Sequence, residues 1–148
     1  MFNDAIKMTG NLKLVLTDEN GNIKQEEEVK NLVVTVGKNF IASRMKDATA
    51  TAMTHMEVGT STQAAAVGDT ALIAAVASSR VTLTSTTVTT NSVAYVASFP
   101  AGTGTGALTE AGIFNASSAG TMLCRTTFPV VNKAAGDSIA VTWVVTVS

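Results

Sequence analysis

Asn11-Leu12-Lys13-Leu14-Val15-Leu16-Thr17 alternates apolar and polar residues, and Asp18-Glu19-Asn20-Gly21-Asn22 follows it directly. A period of two puts Leu12, Leu14 and Leu16 on one side of an extended chain. Asn20-Gly21 is a strong reversal signal, because both residue types tolerate positive φ. The stretch predicts a strand, a tight turn and a return strand beginning at Ile23. That return crosses Glu26-Glu27-Glu28, which predicts a solvated edge or loop, since like charges repel and discourage edge pairing.

The same alternation recurs outward along the chain. Met53 to Val58 reads as a strand ending at Gly59-Thr60-Ser61, and Arg80 to Val88 and Ser92 to Phe99 read as strands joined by the bend Thr89-Thr90-Asn91. Pro100 ends the latter, and Pro129 is expected to end the strand Gly120 to Phe128, because proline lacks the N–H a central ladder needs. Ile139, Val141, Trp143, Val145 and Val147 line one face of a long last strand, with Trp143 expected in the core. One helix is predicted from the stripe Leu32, Val33, Val36, Phe40, Ile41 and Met45. Asn31 or Thr35 is placed to cap it, Gly37 to mark a strand-to-helix corner, and Lys38, Arg44 and Lys46 to set cations toward its end. Residues 64–77, rich in Ala around Leu72, Ile73 and Val76, read as a short helix or as a loop packed under a sheet. Short strands, regular turn signals and one short helix predict a mainly β single domain over 1–148, a β-sandwich, with 1–30 as an N-terminal hairpin or arm.

Charge is distributed unevenly. Charged residues are 14% of the chain, against about 25% in an average soluble domain. Residues 1–47 hold 14 of the 21 charges and residues 48–148 the other seven, while Thr and Ser number 34. A chain so poor in charge over its last two thirds either exposes a Thr/Ser β surface or hides much of its outside against neighbours, as interface cores do.

Chemistry is sparse. One His (His55) and one Cys (Cys124) leave no metal-ligating set, no disulfide and no base–nucleophile pair. His55 reads as a strand surface or core residue and Cys124 as core. Glu57, Asp69, Glu110 and Asp137 are scattered, and no spacing pairs them as acid and base. Ala101-Gly102-Thr103-Gly104-Thr105-Gly106-Ala107 fits neither phosphate-binding glycine pattern and reads as a flexible connection. Asn115-Ala116-Ser117 matches the glycosylation sequon, which matters only in a secretory pathway. Met1 to Lys7 carries mixed charges without an apolar run, so no targeting signal is expected, and a free Cys124 suits synthesis in a cytoplasm. A net charge of −1, no basic cluster among the aromatics and no run of about 18 apolar residues argue against nucleic acid and membrane as partners. The expectation is a protein that is not an enzyme, with no catalytic, cofactor-binding or metal-ligating residue and no cofactor.

Leu108-Thr109-Glu110-Ala111-Gly112-Ile113-Phe114-Asn115-Ala116, then Gly120 to Pro129, then Asp137-Ser138-Ile139-Ala140-Val141-Thr142-Trp143, resembles the carboxy-terminal part of small virion structural proteins of tailed bacteriophages. Asn31 to Arg44 followed by Met56-Glu57-Val58-Gly59-Thr60 is similar to the front half of such proteins, so the likeness covers roughly residues 30–148. The resemblance implies a β-sandwich or jelly roll that cements or decorates the capsid, or a building block of tail, collar or fibre attachment. It implies the major capsid protein and copies of itself as partners, location on the virion, synthesis in the host bacterium, and function through association alone.

Overall fold

A computed structural model describes residues 5–148. In chain order these form β1 (Met8–Thr17), β2 (Ile23–Val33), α1 (Thr35–Lys46), β3 (His55–Gly59), β4 (Val81–Thr82), β5 (Ser85–Thr89), β6 (Ser92–Phe99), β7 (Gly106–Phe114), β8 (Met122–Lys133) and β9 (Ser138–Val147). The strands make one antiparallel sheet in the order β4-β3-β7-β8-β2-β1-β9-β6-β5. The fold is mainly β with one helix, as the alternation predicts. The sheet curls at β2, which pairs along its length with β1 and through Leu32 and Val33 with Arg125 and Cys124 of β8. The two halves face each other across one core, to which Leu12, Leu14, Val141 and Trp143 come from one side and Val58, Ile113, Cys124 and Val131 from the other. Leu12, Leu14, Ile113 and Trp143 are fully buried, and removing such apolar surface from water is the main force holding a domain of this kind together.

The β1–β2 turn forms as its sequence dictates. The Asp18 N–H donates to the Asn22 carbonyl at 2.8 Å, the Asp18 carboxylate accepts the N–H groups of Asn20 and Asn22 at 2.9 Å, and Gly21 takes φ 85°. The described part of the 1–30 segment is thus a hairpin at the middle of the sheet order; Met1 to Asp4 lie outside the described residues. Glu26-Glu27-Glu28 is strand rather than loop, opposite Val15, Leu14 and Lys13 of β1, while the ladder to β8 is confined to Leu32 and Val33.

The expectations for the helix and for Pro129 are corrected. The helix starts after Val34, and Leu32 and Val33 belong to β2, because ladder bonds to β8 satisfy their backbone while Val33 sinks into the core. Neither Asn31 nor Thr35 caps it. Gly37 is the buried residue of α1, whereas Met45 is 77% exposed, so the apolar stripe is shallow. Pro129 does not stop β8, which runs on to Lys133; it sits where the β7–β8 register shifts between Leu108 and Glu110, so that no regular ladder position needs its missing N–H. Of the two readings of residues 64–77, the loop is the one the chain adopts. It lies over the sheet, bridged by Ala75 to Gly59 and holding Leu72 in a small cluster with Val34, Phe114 and Met122.

Candidate functional site

All seven charges of residues 48–148 turn inward. Arg125 and Glu110 are fully buried on β8 and β7, and the guanidinium reaches Glu110 Oε2 at 2.9 Å, Asp69 Oδ2 at 3.0 Å and the Gln63 carbonyl at 2.8 Å. Glu110 also accepts the backbone N–H groups of Ile73 and Ala74 at 3.1 and 2.7 Å, and Asp69 that of Ala66 at 2.9 Å. A buried carboxylate is tolerable only when paired and hydrogen-bonded, and this one is. Arg80 grips Glu57 through two bonds of 3.1 and 3.2 Å, donates to the carbonyls of Ala116 and Ala119, and lies 3.7 Å from the centre of the Phe114 ring. Asp137 is buried against Lys24 Nζ at 2.7 Å, and Lys133, also buried, donates to the Pro100 carbonyl at 3.0 Å.

The motif Glu110-Ala111-Gly112-Ile113-Phe114 therefore reads as a fastener. Ala111 and Ile113 point into the main core, while Glu110 and Phe114 face the covering loop and the Arg80 side. Gly112 leaves room between them, since a Cβ there would press on Leu72, Met122 and Phe114 at 3.0–3.1 Å. Asp69 and Glu110, expected to be unrelated, are brought together by Arg125, so that expectation is corrected; Glu57 and Asp137 stay apart in their own ion pairs. Each of these carboxylates is held by a cation, and Glu110, Asp69 and Asp137 by backbone donors as well.

The other candidates are equally occupied. Cys124 is fully buried, and burial pushes its thiol well above the ordinary value, which suppresses the nucleophilic thiolate. His55 is half-buried between the hydroxyls of Thr54, 2.7 Å from Nδ1, and Thr82, 3.4 Å from Nε2. In the glycine-rich connection the Gly102 N–H donates to the Ala135 carbonyl and the Thr103 N–H to the Pro100 carbonyl, so two of its N–H groups are already spent inside the chain. Asn115 closes the β7–β8 turn by accepting the Thr121 N–H at 2.7 Å. A hollow of about 540 Å³ between Ile6, Met8 and α1 has Lys7 and Lys38 as the ionisable groups among its described lining residues. Among the described residues no group of three or more His, Cys, Asp or Glu could hold a metal, and no helix is long and apolar enough to cross a membrane.

What remains is a surface. The register aligns Lys13, Thr142, Val96 and Ser85 in one outward row across β1, β9, β6 and β5, and Asn11, Val144, Ala94 and Thr87 in the next. On β2 and β1 this outer face carries Lys24, Glu26, Glu28, Lys30 and Lys13; on β9, β6 and β5 it carries only Ser, Thr, Ala and Val. One face is split into a charged half and a neutral half.

Comparison with protein-family profiles, with curated proteins and with solved structures finds no match to this chain.

Proposed function

We propose that this chain is a non-enzymatic virion structural protein of a tailed bacteriophage, which cements or decorates the capsid shell by binding between major capsid subunits. The observation that carries the reading is the neutral half-face of β9, β6 and β5, together with the inward turn of every charge after residue 47. An exposed surface normally keeps charged side chains for solubility, whereas the core of an interface is depleted of them. A standard interface buries about 1,600 Å² in total, and apolar area contributes about 25 cal/mol per Å² before the costs of association. Repetition over the symmetric copies of a shell multiplies contacts that are individually modest. The partners are then the major capsid protein and copies of the chain itself, the location is the capsid surface, and no cofactor takes part.

The Glu110-Ala111-Gly112-Ile113-Phe114 likeness favours a second reading, a tail, collar or fibre-attachment component. Copy number separates the two. Quantitative mass spectrometry of purified particles giving hundreds of copies supports the shell; a dozen or fewer supports the tail.

A further inference from the structure

The two edges of the sheet are finished differently. At one, β4 is only two residues long, and β3 behind it is covered by the loop: the Thr60 N–H donates to the Ala74 carbonyl at 2.9 Å, the Val76 N–H to the Val58 carbonyl at 3.0 Å, and Gly59 bridges Ala75. At the other, β5 pairs among the described residues with β6 alone, and all five of its residues are exposed. Edge strands are ordinarily guarded by Lys, Pro, a bulge or a covering segment. β5 has no charge and no proline, its register with β6 runs unbroken from Ser85 to Thr89, and Val88 within it is 70% exposed. Charge is absent from the whole stretch Val81 to Thr109, 29 residues.

We propose that β5 pairs antiparallel with β5 of a second copy of this chain, about a two-fold axis, and so continues the sheet across two molecules. Charge selects the occupant. A two-fold pairing lays an edge against itself, so an edge carrying one sign of charge would repel its copy, and this edge carries no charge. A charged strand from another partner would find no counter-charge here. Pairing of β5 onto the β4–β3 edge of another copy is obstructed by the short β4 and the loop that covers β3, which favours a closed pair over a filament. The net charge of −1 adds little repulsion between copies. Five residues make a smaller contact than a standard interface, so the pair forms with rising concentration rather than permanently. None of this depends on where the protein acts, and the copy-number experiment leaves it untouched.

Sedimentation velocity on the full chain, from dilute to concentrated solution, tests it. The weight-average mass should climb from 15.2 kDa toward twice that value. Val88→Lys should hold the monomer mass at every concentration, and Val88→Thr, polar but neutral, should still pair, with circular dichroism confirming that both fold. Amide exchange on the unmodified chain provides a second readout: Thr86 to Val88 should gain protection as concentration rises. A wild-type chain that stays monomeric throughout, a Val88→Lys variant that pairs as well as wild type, or exchange at β5 that ignores concentration would each overturn the proposal.

Discussion

Arg125 is one side chain that ties two carboxylates and a loop carbonyl to the sheet, and its removal strands Glu110 in a dry site with only the N–H groups of Ile73 and Ala74. Breaking a buried pair from one side costs about 3–5 kcal/mol. Arg125→Met should therefore lower the urea midpoint by that equivalent, and should expose residues 60–79 to protease under conditions where the wild-type chain is intact. An unchanged midpoint would mean that the loop is held by Leu72 and its backbone bonds instead. Asp137 behaves differently with pH. The Lys24 ammonium at 2.7 Å, then the Ala134 N–H, hold its carboxyl below the ordinary value of 3.8. A depressed carboxylate stabilises the fold above its unfolded value, and that contribution disappears as pH falls through the folded value. Asp137→Asn should flatten part of the loss of stability below about pH 4, seen as a smaller gap between urea midpoints at pH 3 and pH 7. Asp18, lowered first by the Asn22 N–H, and Asp47, lowered first by the Lys46 ammonium, keep contributions of the same sign. None of these partnerships was legible in the sequence. Arg125 and Asp69 are 56 residues apart and Lys24 and Asp137 are 113 apart, and only the topology joins them. The visible signal was the mere presence of Glu110 and Arg125 inside otherwise apolar strands, where a charge must find its opposite.

At the scale of elements, α1 is held against β8 through Gly37, where a Cβ would run into the Leu123 carbonyl. Helix propensity alone favours alanine there by about 1 kcal/mol. Backbone does not yield as a flexible side chain would, and overpacking of this sort costs about 1–3 kcal/mol. Gly37→Ala is expected to be destabilising on balance, with a lower thermal midpoint; a raised midpoint would show that α1 can slide away from β8 freely. The strands were readable because alternation is local: Leu12, Leu14 and Leu16, like Ile139, Val141, Trp143 and Val145, are buried as the period of two requires. Boundaries that depend on partners were not. Leu32 and Val33 fit a helical stripe as well as a strand, and their pairing with Arg125 and Cys124 decides the matter. Pro129 looks like a terminator until the register shift opposite Thr109 makes its position permissible.

For the whole molecule, the uneven distribution of charge in the sequence becomes an uneven distribution in space. Fourteen of 21 charges precede residue 48, and the seven that follow are spent on internal ion pairs and carbonyls. The β1–β2 hairpin keeps Lys13, Glu26, Glu28 and Lys30 exposed on its outer face, and the half-face of β9, β6 and β5 offers hydroxyls and methyl groups. Binding through such a face has few ion pairs to screen, so ionic strength should matter little. On the capsid reading, particles lacking the protein should still assemble, yet burst at a lower temperature than complete ones. Purified protein added back should restore the bursting temperature nearly as well at high salt as at low. Ser98→Asp, placing a charge on β6, the central strand of the neutral half-face, without touching the core, should weaken that restoration while leaving the fold's own melting temperature close to wild type, since exposed surface changes usually stay within about 0.5 kcal/mol. A steep loss of binding with salt would locate the contact on the charged hairpin instead. Particles whose heads are stable but which lack tails without the protein would move it to the tail.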